Sequence, residues 1–369
     1  LGFASWDSFL HTLDQHRDTV HRYFLTSVSM DDDVPGTNPT AADHATLFSA
    51  IWRQQGTADV QHERLSQTGL LPSDEVQEAL SYLKHSTGYR ILNENGRQRM
   101  DRLIPTLLEK TAIYPQPAPL LKRLFTLLQR VISRSCYIAL LTENPPALDQ
   151  LIKLCAASPW IAESLAAQPM LFDDLLSPET LYSPLRRNDL QIDLEKRLSG
   201  IDPSDLDQQM DELRRFTHTH RLRVAAADIV GSLPVMKVSD CLTEIAEVVL
   251  KKTLTLAWEN LLEKYGRPTA WSDGERFFPD FLIVAYGKLG GIELGYSSDL
   301  DLVFIHDSHG EKTQTEGPRI IDNSDFFMRL GKKIIHFLTT RTAAGILYEI
   351  DMRLRPSGNS GLLVVDTEG

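Results

Sequence analysis

The sequence predicts an α+β protein in which a mostly helical N-terminal region precedes a small domain of mixed strands and helices. Three observations carry this expectation. From residue 1 to about 230, apolar residues recur three and four apart, the spacing of one helix face. At Phe281-Leu282-Ile283-Val284-Ala285-Tyr286 the pattern changes to a short apolar run with β-branched members that stops at Gly287, the mark of a buried strand. A helical period then returns at Ser324–Thr340, between further strand-like runs.

The elements follow in order. Asp31, Asp32 and Asp33, with Pro35 and Gly36, interrupt an early helical region. Asp43–Arg53 and Pro72–His85 are helix candidates; in the second, Val76 and Leu80 share a face and Pro72 marks the entry. Pro115, Pro117 and Pro119 form a connector. Leu120–Leu141 reads as one strongly periodic helix through Leu121, Leu124, Phe125, Leu128, Val131 and Ile132, stopped by Pro145-Pro146. Leu148–Ala156 and Trp160–Ala166 are short helices, the second capped by Ser158 with Pro159 in its first turn. Asp205–Leu233 is a charged helix carrying His218, His220 and Arg221. Positions i and i+2 do not share a helix face, so the two histidines are read as structural. Asp240–Tyr265 is a further long helix. Asp299–His306, Gly345–Leu354 and Gly361–Val365 are the second, third and fourth strands.

The chain has 369 residues, 42% apolar and 24% charged, an ordinary globular composition with the length of two or three domains. Lys and Arg number 38 against 50 Asp and Glu, a formal charge of -12, which opposes broad nucleic-acid binding. No apolar run reaches the roughly 18 residues of a membrane span, so neither nucleic acid nor membrane is an expected partner. Cys136, Cys155 and Cys241 have no paired spacing and are expected to be buried or half-buried thiols of a reducing, cytoplasmic compartment. The start, from Leu1 to Asp7, lacks the basic segment and apolar core of a signal peptide. With no initiator Met and a stop at Gly369, the chain reads as a fragment.

The chemistry concentrates in two segments. Gly287-Lys288-Leu289-Gly290-Gly291 is followed by Ser297-Ser298-Asp299-Leu300-Asp301-Leu302. On a strand, Asp299 and Asp301 project side by side, their Cβ atoms roughly 6–7 Å apart. Paired hard-oxygen ligands near a glycine turn suit magnesium and phosphate chemistry. The glycines allow a phosphate to approach the main chain, although no Gly-Lys-Ser/Thr closes a Walker A loop. In Tyr348-Glu349-Ile350-Asp351-Met352-Arg353-Leu354-Arg355-Pro356, a strand puts Glu349, Asp351, Arg353 and Arg355 on one face. Asp351 completes a cluster with Asp299 and Asp301; Arg353 and Arg355 grip phosphate oxygens. Alone, an Asp-x-Asp is more often solvated surface, and Gly290-Gly291 more often a plain turn. Lys288 divides evenly between phosphate contact and loop lysine, and Glu293 reads as structural.

These segments resemble a known family. Ala285 to Phe304, AYGKLGGIELGYSSDLDLVF, and Leu347 to Gly358, LYEIDMRLRPSG, are similar to the nucleotidyltransferase signature of the bifunctional glutamine synthetase adenylyltransferases. A third match lies outside the site: Tyr137 through Glu143-Asn144-Pro145, Ser158-Pro159-Trp160, and Pro169 to Leu176 resemble the helical segment before that family's catalytic domain. Together the matches span roughly residues 130–365.

The resemblance implies a DNA-polymerase-beta-like nucleotidyltransferase core with a small mixed sheet. The implied organisation is a helical N-terminal region at 1–120, a helical segment packing on the catalytic domain at 121–235, and the catalytic domain at 236–369, free to continue past Gly369. Asp299, Asp301 and Asp351 are then the catalytic carboxylates and the ligands of one or two Mg2+ ions. Gly287, Lys288, Gly290, Gly291, Ser298, Arg353 and Arg355 are the phosphate and nucleotide contacts. Gly290-Gly291 stands where the wider superfamily has Gly-Ser, so a hydroxyl contact is replaced by backbone N–H groups or dropped.

Family members carry two such domains. The N-terminal one removes AMP from a glutamine synthetase tyrosine by phosphorolysis, releasing ADP; the C-terminal one adds AMP from ATP. The single copy here, with Gly295-Tyr296-Ser297-Ser298 and Thr340 to Leu347, looks like the deadenylylating one. Its implied partners are adenylylated glutamine synthetase, phosphate, ADP or ATP, and the uridylylated form of the PII signalling protein as activator. The alternatives are adenylylation from ATP at the same site and a PII-binding regulatory module with little activity alone.

Overall fold

The structure is a computed structural model that describes residues 41–356 and 358–367. The expected early helical region and its break at Asp31–Asp33, Pro35 and Gly36 lie outside the described residues. The chain forms two compact units, divided between Pro178 and Glu179.

The first unit is helical: α1 (Ala41–Arg53), α2 (Ala58–Gln67), α3 (Ser73–His85), α4 (Glu94–Ala112), α5 (Pro117–Val131), α6 (Ser135–Glu143), α7 (Pro145–Ala157) and α8 (Pro159–Ala167), with a 3-10 segment at Pro169–Leu176. α5 is its centre. It buries Leu120, Leu121, Leu124, Phe125, Leu127, Leu128 and Val131, more than one stripe, because α3 and α8 pack on different sides of it. The periodic run expected over 120–141 is two helices. Arg134 is extended at φ -101°, ψ 92°, and α6 turns away to pack on α4. Pro117 opens a helix rather than lying in a connector, since the first helical turn tolerates a missing N–H; Pro145-Pro146 follow the end of α6 at Glu143, as expected, and also open α7. Ser158 caps α8 as expected, its hydroxyl accepting from the Ile161 N–H at 3.4 Å.

The second unit begins with α9 (Arg187–Leu198), α10 (Leu206–Ile229) and α11 (Val235–Tyr265). α9 and α10 both pack on α11; the helices at 117–167 belong to the first unit. The compact division therefore falls at neither 120 nor 235. Two sheets follow. One is antiparallel, β2-β1-β5, from β1 (Arg267–Ser272), β2 (Glu275–Phe277) and β5 (Glu311–Glu316). The other is mixed. β3 (Phe281–Tyr286) runs antiparallel to β4 (Leu300–His306), while β6 (Ile350–Asp351) and β7 (Val364–Asp366) pair parallel with β4. α12 (Asn323–Thr339) covers one sheet face. Leu300, Leu302 and Phe304 are fully buried in the core shared with α11 and α12, which sends Asp301 and Ile305 to the opposite face.

Three expectations change here. The third strand, expected over 345–354, is only Ile350–Asp351. The fourth, expected over 361–365, is Val364–Asp366. Cys136 is exposed, while Cys155 and Cys241 are buried; burial pushes the Cys155 thiol up to about 12. His220 of α10 is held structurally, as read. His220 Nε2 lies 2.9 Å from Asp193 Oδ2 and its ring 4.4 Å from that of Phe216. Arg214, fully buried, donates to the carbonyls of Phe337 at 3.2 Å and Thr340 at 2.7 Å. It thereby caps the C-terminus of α12, where unsatisfied carbonyls and the helix dipole favour a cation.

Candidate active site

The site is an acid row across the mixed sheet. β3 and β4 pair Tyr286 with Asp301, and β4 and β6 pair Asp301 with Asp351. Residues directly opposite on paired strands share a face. Tyr286, Asp301 and Asp351 therefore stand side by side, with adjacent strands about 4.8 Å apart. Asp299, exposed, sits one residue before β4, and the Leu300 N–H donates to the Glu349 carbonyl at 3.0 Å. That bond fixes the register in which the acids meet.

The glycine turn closes over one end of the row. Gly287–Gly290 is a single helical turn directly after β3, and Gly287 has φ +54°. A Cβ on Gly287 would lie 2.1 Å from Asp301 Oδ2, so the turn backbone rests against that carboxylate. A Cβ on Gly290 would lie 2.5 Å from the Ala285 carbonyl oxygen, whereas one on Gly291 would meet nothing nearer than 3.3 Å. The turn continues through bonds from Gly291 N to Gly287 O at 2.9 Å and Glu293 N to Lys288 O at 2.7 Å. Lys288 is exposed. Ser298 is held locally: its hydroxyl accepts from the Gly295 N–H at 3.0 Å.

The arginines do not sit as expected. Glu349, Asp351, Arg353 and Arg355 do not line one strand face, because the chain turns after Asp351. The Asp351 carboxylate makes that turn itself, accepting from the Arg353 backbone N–H at 2.8 Å and from Arg353 Nε at 2.7 Å. This bond from the Arg353 side chain holds the Asp351 carboxyl below the usual carboxylate range. The guanidinium in turn has its own pKa raised, chiefly by its bond to Asp351 and more weakly by Asp299 and Asp301. Arg355 Nη1 donates to the Met352 carbonyl at 2.7 Å, bracing the same turn.

Hard carboxylate oxygens in register are the donor type magnesium takes, so the residues fit that ion in kind. Among the described residues no three acidic, His or Cys side chains close around one point; Asp351 faces Arg353 instead.

Two residues of the site were not singled out from sequence. Tyr286 is 47% exposed in the acid row; counting strand parity back from Asp301 would have found it. Tyr296 donates to Asp228 Oδ2 at 2.9 Å, tying the loop before Asp299 to the end of α10; no local pattern announces that partner. Among the described residues no helix is long and apolar enough to cross a membrane.

A mostly helical region followed by a small mixed sheet, with an acid row beside a glycine turn, is consistent with a nucleotidyltransferase-like fold. The family model for glutamate-ammonia ligase adenylyltransferase matches residues 148–369, and the chain belongs to that family. Its relatives include proteins named bifunctional glutamine synthetase adenylyltransferase/adenylyl-removing enzyme. That of Thioalkalivibrio sulfidiphilus is 45% identical over 366 residues, 99% of this chain and 38% of the relative. That of Pseudomonas aeruginosa is 44% identical over 364 residues, 99% of this chain and 37% of the relative. That of Vibrio parahaemolyticus is 41% identical over 365 residues, again 99% of this chain and 38% of the relative. The chain thus spans less than two-fifths of these relatives and corresponds to an N-terminal portion of a larger protein of this kind.

Proposed function

We propose that this chain is a nucleotidyltransferase domain that removes AMP from an adenylylated tyrosine of glutamine synthetase by phosphorolysis, yielding tyrosine and ADP. The observation that supports it is the register of Asp301 with Asp351 beside Asp299, under the Gly287 turn. The reading assigns Asp299, Asp301 and Asp351 to Mg2+. When bound, the ion would orient phosphate oxygens and offset charge on the α-phosphoryl group.

The chain's own residues supply the rest. Arg353, exposed above the acid row, neutralises non-bridging oxygens of the attacking phosphate. Lys288 and the N–H groups that open the Gly287–Gly290 turn receive the adenylyl phosphate; Gly290 and Gly291 leave the main chain open to it. Ser298 holds the loop that presents Asp299, and Arg355 braces the turn that presents Asp351 and Arg353. Phosphate oxygen attacks the α-phosphorus, the bond to the tyrosine oxygen breaks, and that oxygen takes up a proton. No covalent enzyme intermediate is needed. We place this activity in the cytoplasm, with uridylylated PII as activator.

The test is incubation with adenylylated glutamine synthetase, Mg2+, phosphate and uridylylated PII. The wild-type chain should release ADP, and Asp299→Asn and Asp301→Asn should lose that release while melting within a few degrees of wild type. AMP transfer from ATP to unmodified glutamine synthetase, with no ADP release, would reverse the direction. Silence in both directions alongside PII binding would favour a regulatory module.

A further inference from the structure

We infer that Arg353 is a built-in competing cation that occupies Asp351 until a divalent ion displaces it. The inference rests on the reading of Asp299, Asp301 and Asp351 as a metal site. It goes further by giving Arg353 a second position.

The geometry is a closed clamp. Asp351 Oδ1 accepts from the Arg353 backbone N–H at 2.8 Å; Oδ2 accepts from Nε at 2.7 Å and lies 2.5 Å from Nη2. A carboxylate has about four lone-pair positions; the clamp takes one on each oxygen by hydrogen bonds and crowds Oδ2 with Nη2 as well. Asp351 therefore cannot accept an ion in full while Arg353 stays. The charge pattern favours the clamp: three carboxylates at one strand end repel one another, and the Arg353 guanidinium, paired with Asp351, offsets part of that charge.

Release is easy for the same structural reasons. The Asp351 side chain is 14% exposed, but that of Arg353 is 75% exposed. Among the described residues the guanidinium makes no hydrogen bond to any residue but Asp351. A single ion pair whose cationic half is in water is weak, whereas a divalent ion bridging several carboxylates is not. The backbone N–H bond to Oδ1 keeps Asp351 oriented after the side chain leaves. The freed guanidinium stays tethered two residues from Asp351, within reach of an anionic oxygen over the acid row. Arg353 thus fills the site when it is empty and turns to the substrate when it is loaded.

The clamp makes an unusual demand: removing an arginine should tighten metal binding. Mn2+ affinity is measured by titration calorimetry and by the free-ion electron paramagnetic resonance signal, with no phosphate or nucleotide present. Arg353→Gln should bind Mn2+ about two- to five-fold more tightly than wild type, the range open to one weak competing pair. Arg353→Lys separates the clamp from simple charge. It keeps the positive charge but has neither Nε nor the planar fork, so it should also bind more tightly than wild type. Wild-type affinity in Arg353→Gln, or in Arg353→Lys while Arg353→Gln tightens, would overturn the clamp. The doubly substituted Asp299→Asn, Asp301→Asn chain should lose the Mn2+ site. If that variant binds as wild type does, the site reading itself fails, and the clamp with it.

Discussion

Replacing Gly287 by alanine tests the contact on which the acid row depends. Two costs follow from the structure. At φ +54° a side chain raises the backbone energy by about 1–2 kcal/mol. The new Cβ would also lie 2.1 Å from Asp301 Oδ2 and 2.9 Å from its Cγ, so the carboxylate must rotate away or the turn must lift. The strain predicts a loss of about 2 kcal/mol, or roughly 4–8 °C in Tm for a unit of this size. The displacement acts on function far more. Moving a reacting group by about 1 Å costs on the order of 100-fold in rate, so phosphorolysis should fall about 100-fold in a chain that remains folded. Differential scanning calorimetry reads the first number and single-turnover ADP release the second. Gly291→Ala is the control for the fold, since its Cβ meets nothing nearer than 3.3 Å and its Tm should stay within about 2 °C of wild type. A Gly287→Ala chain with wild-type Tm and turnover would refute the packing of the turn on Asp301.

Other substitutions probe the supports of the site. Arg214→Ala should lower stability by about 3 kcal/mol by uncapping the buried carbonyls at the end of α12, and Arg214→Lys should recover less than half of it in urea titrations. Tyr296→Phe should cost about 1 kcal/mol and lower turnover more than Tm, because the bond to Asp228 positions the loop that carries Asp299. Stability should also fall with acid. Burial pushes His218 down to about 4 and lowers His220 as well. The unfolded chain therefore binds more protons than the folded one between about pH 6.5 and 4, and stability must rise with pH across that window. Cooling-corrected Tm measured from pH 7 to 4.5 should drop, and His218→Gln should flatten the slope; a flat wild-type profile would contradict the burial of these rings.

The legible parts of the fold are those whose signal is local. Phe281–Tyr286 and the 300–306 strand announce themselves by apolar runs with no competing helical period. The face that Asp301 takes follows from strand parity, whereas Asp299, expected beside it on the strand, falls one residue before β4. What escaped depends on distant partners. β1, β2 and β5 carry Arg267, Glu275, Arg276, Glu311 and Lys312 at exposed positions, so the sheet they form has little hydrophobic pattern to read. The run from 120 to 141 keeps its apolar spacing across the break at Arg134, because both α5 and α6 bury a face; only their separate packing partners divide them. The sequence after Ile350 alternates like a strand through Arg355. It leaves the sheet because the Asp351 carboxylate bonds the Arg353 backbone, a local competition with the ladder that alternation does not encode. The same bond makes Arg353 a partner of the acids rather than their neighbour on a strand face. Arg214 lies in a helix rich in charge, and nothing nearby marks it as the buried one.

The most direct test of the central claim follows the attacking phosphate. Radiolabelled inorganic phosphate is supplied with Mg2+, uridylylated PII and adenylylated glutamine synthetase, and the nucleotide product is separated. The account predicts label in the β-phosphate of ADP, formed by the wild-type chain and absent with Asp301→Asn. Unlabelled AMP as the product would mean that water attacks instead, and labelled ADP from the Asp301→Asn chain would mean that the acid row is not where the reaction occurs.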